Sequence, residues 1–111
     1  MKITQTDTYT ILEDERDDVL DFASYLERVV PEKYEDLNLV IDLLQYTELT
    51  LEQLVGFIKL SNYQRADKKS FVIVNTGIDY DIIPDEMIVV PTLQEAEDII
   101  QMEEIERDLG F

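Results

Sequence analysis

Three short apolar runs, Asn38–Leu43, Ser70–Asn75 and Met87–Val90, constrain this chain more than any other feature. Each is apolar at consecutive positions and too short for a helix, which suits strands buried on both faces of a largely parallel sheet. Between and after them lie apolar stripes at helical spacing. Val19, Phe22, Ala23, Leu26, Val29 and Val30 follow a cluster of acids (Glu13, Asp14, Glu15, Asp17, Asp18) that suits the positive end of a helix dipole, and Pro31 is expected to stop that helix. Thr50, with Gln53 three residues on, forms a capping box before a second stripe at Leu51, Leu54, Val55, Ile58 and Ser61, widened by Phe57 and Leu60. Thr92, with Glu95, does the same before Leu93, Ala96, Ile99, Ile100, Met102 and Ile105.

The amino-terminal Ile3–Glu13, rich in Thr, Ile and Tyr, reads as one or two short edge strands turning at Thr6-Asp7, and Asp79–Asp85 as a loop or a single helical turn. The resulting order, β(β)-α-β-α-β-turn-β-α, requires crossover connections. The expected architecture is one α/β domain over residues 1–111. It has a four- to five-stranded, mostly parallel or mixed sheet, three to four helices, and a carboxy-terminal helix over roughly 92–109.

Charge and missing residue types narrow the function. Nine basic against 26 acidic side chains leave a net charge of −17, which repels phosphate backbones and anionic lipid and favours basic protein surfaces. Nucleic acid and membrane are therefore not expected as partners. No apolar run approaches the roughly 20 residues of a membrane span, and Met1–Asp7 lacks a basic start followed by an apolar block, so the expected location is cytoplasmic. Histidine and cysteine are absent, which removes the imidazole base, the thiolate nucleophile and the common zinc sites. Asp79, Asp81, Asp85 and Glu86 lack the glycine and alternation of a calcium loop, and read as solvated turn residues. Lys59 reads as a surface lysine, and no glycine-rich phosphate cradle occurs. No catalytic residue, cofactor or metal site is expected.

Three segments in this order resemble a known family. Asn38-Leu39-Val40-Ile41-Asp42-Leu43 followed by the capped helix at Thr50, then Phe71-Val72-Ile73-Val74-Asn75, then Met87-Ile88-Val89-Val90-Pro91-Thr92-Leu93-Gln94-Glu95-Ala96, are similar to STAS domains. These are the bacterial anti-sigma factor antagonists and the soluble domains of sulfate transporters. The resemblance covers roughly Asn38 to Ile100 and implies a protein-binding regulator whose partner is a kinase-like anti-sigma factor. It places partner contacts at Tyr46, Thr47, Glu48, Thr50 and Glu52. Where regulatory members carry Asp-Ser-Ser/Thr-Gly, this chain has Thr50-Leu51-Glu52-Gln53, so the phosphorylated hydroxyl is missing. By that spacing Thr50 falls at the Asp position and Leu51 or Glu52 at the phosphorylated one; Glu52 offers about one negative charge against almost two for a phosphate, and as a first-turn acid it also favours the helix dipole.

The terminal segment is the other suggestive feature. Seven acids between Thr92 and Phe111 face Arg107 alone, while Ile105, Leu109 and Phe111 extend an apolar face beyond the sheet. Such a helix suits docking on a basic groove, or a homodimer with another copy. Glu103–Phe111 also resembles the ends of small bacterial proteins labelled ribonuclease Z. That enzyme binds zinc through several histidines and this chain has none, so the resemblance implies an accessory association rather than hydrolysis.

Overall fold

The strands pair in chain order. The computed structural model describes residues 1–110. Its elements are β1 (Lys2–Gln5), β2 (Thr10–Glu13), α1 (Val19–Lys33), β3 (Leu39–Asp42), α2 (Leu51–Val55), α3 (Ile58–Ala66), β4 (Phe71–Val74), a 3-10 turn (Tyr80–Ile82), β5 (Ile88–Val90) and α4 (Leu93–Asp108). The sheet order is β1-β2-β3-β4-β5, antiparallel between β1 and β2 and parallel thereafter. The chain is thus an α/β protein with a mixed five-stranded sheet.

Sequential order has a geometric consequence. Right-handed crossovers that always step the same way place every connecting element on one face of the sheet. Leu12, Ile41 and Ile73, aligned across β2, β3 and β4, accordingly pack with Phe22, Leu26, Val30, Leu54, Phe57 and Leu60 of α1–α3 and their junctions. The alternate row, Ile11, Val40, Val72 and Ile88, faces the other way, and α4 alone covers it with Ala96, Ile99 and Ile100. Strands buried from both sides explain the consecutive apolar residues of β3 and β4. No helix among the described residues is long and apolar enough to cross a membrane.

Three local expectations are corrected. Pro31 does not stop α1, which runs on to Lys33. Proline forfeits its own N–H bond, to the carbonyl of Glu27 on an exposed turn, while Tyr34 N–H still donates to Val30 O at 2.9 Å. The helix opened by Thr50 is two helices. Its capping box with Gln53 forms, but bonds from Gly56 N to Gln53 O and from Phe57 N to Leu54 O tighten the next turn and rotate Phe57 into the core. Buried positions therefore run Leu54, Phe57, Leu60, Ser61 and Gln64, leaving Leu51 and Val55 exposed.

The third correction concerns α4. Met102 and Ile105 do not extend its inner face; they are 56% and 60% exposed. Successive residues turn by 100°, so both lie opposite Ala96 and Ile100. Polar residues take the inner positions instead. Glu103 pairs with Arg65 (3.2 Å), and Glu104 accepts from Asn38 Nδ2 (2.9 Å) and Arg107 (2.6 Å).

Candidate functional site: the rim at the carboxyl ends of the strands

Glu13, Asp42, Val74 and Val90 lie in register, so the loops after β2, β3, β4 and β5 all leave one end of the sheet. Open α/β sheets place their binding sites at such ends. Here the rim is acidic. Asp14, Glu15, Asp17 and Asp18 follow β2, Glu48 and Glu52 follow β3, and Asp79 and Asp81 follow β4, with Arg16 among them. Asp79 caps the 3-10 turn, accepting from Asp81 N–H at 2.9 Å. Among the described residues no three histidine, cysteine, aspartate or glutamate side chains gather as a metal site.

Asn75 organises this rim. It is fully buried at the end of β4, and its Nδ2 donates to the carbonyls of Leu43 and Tyr46, both at 2.8 Å. Its Oδ1 accepts from the N–H groups of Gly77 (2.8 Å) and Ile78 (3.0 Å). One amide thus ties the β3–α2 loop to the turn after β4. Gly77 completes the junction, because a Cβ there would sit 2.1 Å from the carbonyl oxygen of Thr47. Only glycine permits that approach.

A second tie joins the β3–α2 loop to the loop after β2. Tyr46 donates its hydroxyl to Asp14 Oδ2 at 2.5 Å, and Asp14 also accepts from the N–H groups of Arg16 and Asp18. Burial pushes the Asp14 pKa up, but these hydrogen bonds outweigh it and hold the carboxyl below its ordinary value. The Tyr46 hydroxyl is pushed well above the usual tyrosine range, first by burial and then by its bond to Asp14.

A carboxyl lowered in the folded state adds stability above its unfolded pKa of about 3.9, lost as pH falls through the folded value. A Tyr46→Phe variant should lose about 1.5 kcal/mol at pH 7 and show a smaller deficit from wild type at pH 2. Urea unfolding at both pH values checks this; an equal deficit at each would mean the bond to ionised Asp14 contributes nothing.

Of the residues singled out from the sequence, Thr47, Glu48, Thr50 and Glu52 are exposed along this rim. Thr50 also spends its hydroxyl as a cap, accepting from Gln53 N–H at 3.1 Å. Tyr46 is half-buried and acts as a staple. At the far end of the molecule Ile105 and Leu109 (67% exposed) stand with Met102 on the outer face of α4, and Phe111 lies outside the described residues. Asn75 was legible as a strand end but not as the hub, and Gly77 carried no sequence signal for its contact with Thr47. Asn38 mirrors Asn75 at the opposite end of the sheet, bonding Thr8 O, Ser70 N–H and Glu104.

A scan against protein-family models matches none, and a search of curated proteins gives no match.

Proposed function

We propose that the chain is a non-catalytic protein-binding module, similar in plan to STAS anti-sigma factor antagonists but without their phosphorylation switch. In this reading it acts in the cytoplasm and engages a basic face of its partner, a kinase-like anti-sigma factor in the first instance, through the β3–α2 loop and the first turn of α2. The observation that carries it is the state of that loop. Asn75, Gly77 and the Tyr46–Asp14 bond fix its backbone, while Thr47, Glu48, Thr50 and Glu52 are exposed. A surface already held in shape loses little entropy on binding. Leu44 (37% exposed) and Leu51 (40%) add apolar area beside the acids. The STAS likeness is supported by the sequential parallel order from β2 to β5, with the Thr50-capped helix directly after the central strand.

A second reading, homodimerisation through α4, is favoured by the exposed Met102, Ile105 and Leu109. One experiment separates the two. Tagged protein is recovered from the cells that make it, its partners are identified by mass spectrometry and its mass in solution is measured. Glu48→Lys/Glu52→Lys should reduce a stoichiometric partner at least tenfold and leave the mass unchanged. Recovery of a dimer that Ile105→Lys/Leu109→Lys splits, with no other chain present, would replace the first reading by the second.

A further inference from the structure

The last strand of the sheet leaves one side open. β5 pairs with β4 alone, and the register matches Val74 with Val90. The N–H of Asn75 donates to the carbonyl of Val90 at 3.0 Å, so Val90 directs its backbone groups at β4. Along a strand these groups alternate in direction, which turns the N–H and C=O of Val89 to the open side. β1, at the other edge, offers Lys2, Thr4 and Gln5, polar side chains of the kind that discourage pairing. β5 has only Ile, Val and Val.

A groove lies along this edge. It has a volume of about 490 Å³, and its apolar lining comes from Val89, Val90, Pro91, Ile99 and the ring of Tyr80. Tyr80 is held there by its hydroxyl, which donates to Asn75 O at 2.8 Å. The charged side chains in the lining are Glu95 and Asp98, one turn apart on α4. An open strand edge supplies main-chain hydrogen bonds, an apolar trough takes alternate side chains, and two carboxylates with no cation in the lining select a positive neighbour.

We propose that this groove receives an extended segment of a partner protein, added as a sixth strand beside β5, with apolar side chains in the trough and lysine or arginine against Glu95 and Asp98. A second copy of this chain is disfavoured as the occupant, because it would bring Glu95 and Asp98 and a net charge of −17 against their like. The site is separate from the rim around Thr50 and does not depend on how that rim is used.

The probe is a synthetic peptide, acetyl-Lys-Val-Lys-Val-Lys-Val-Lys-amide, against a control with glutamate in place of each lysine. Amide exchange and chemical shifts are followed by NMR on the full chain. The lysine peptide should slow exchange of the Val89 amide at least tenfold and shift Ile99 and Tyr80, while the glutamate peptide does neither. Glu95→Lys/Asp98→Lys, at exposed positions, should weaken the peptide about tenfold or more, whereas Glu48→Lys/Glu52→Lys should leave it unchanged. Val89→Pro should block binding while keeping the β4 ladder, since proline is tolerated where the N–H faces outward; if it unfolds the chain, the Glu95/Asp98 pair decides. Shifts confined to another surface, binding indifferent to the charge reversal, no binding at millimolar peptide, or Val89 protection that rises with protein concentration alone would each overturn the proposal.

Discussion

Asn75→Ala is expected to destabilise the fold by about 4 kcal/mol, enough to lower the midpoint of thermal unfolding by on the order of 15 °C. The side chain satisfies four backbone groups, and two of its bonds, to Leu43 O and Ile78 N–H, lie in fully buried surroundings. Alanine fills none of those roles, and each buried group left unpaired costs roughly 1–3 kcal/mol. The damage should be local before it is global. Exchange of the Gly77 and Ile78 amides should accelerate first, and the β3–α2 loop should lose its fixed shape, so the partner capture proposed for Glu48 and Glu52 should fall as well. Urea unfolding with amide exchange checks both parts. A loss below about 1 kcal/mol would show that water replaces the amide, and the hub assignment would then fail.

Phe57→Ala carries the second large effect, about 3–5 kcal/mol. Phe57 is fully buried at the junction of α2 and α3, and its ring meets that of Phe22 edge to face, with centroids 6.3 Å apart at 67°. Its removal opens a cavity among Leu54, Leu60 and the strand residues below, which a junction pinned by two helices cannot collapse to fill. Val55→Ala, two residues away on the exposed stripe, should change stability by less than about 0.5 kcal/mol. A double-mutant cycle with Phe22→Ala should return a coupling of about 1 kcal/mol, the added value of an aromatic pair. Equal losses for Phe57→Ala and Val55→Ala would mean that α2 packs by the uninterrupted stripe read from the sequence.

These two variants mark the boundary of what was legible. The short amino-terminal strands turning at Thr6-Asp7, the continuous apolar runs and the capping residues Thr50 and Thr92 each act within a few residues of chain, so the sequence alone determined the α/β class and, apart from the break in the second helix, the order of elements. The net charge of −17 and the lack of histidine and cysteine are likewise plain in the sequence, and they favour a basic protein surface over nucleic acid or thiol and imidazole chemistry. What lay beyond was set by partners distant in sequence. The second helix breaks at Gly56 and Phe57, which carries the Phe57 ring into the core against Phe22 of α1. Glu103 and Glu104 turn inward because Arg65 and Asn38, 38 and 66 residues away, receive them, and the helix then has no choice but to turn Met102 and Ile105 out. Asn75 became a hub, and Gly77 obligatory, only once the register of β3 and β4 brought Leu43, Tyr46 and Thr47 alongside. Local pattern fixes periods and caps because hydrogen bonds of one turn or one hairpin enforce them. Which face is buried, and which loop is clamped, is decided by packing and by charges that only the closed sheet brings within reach.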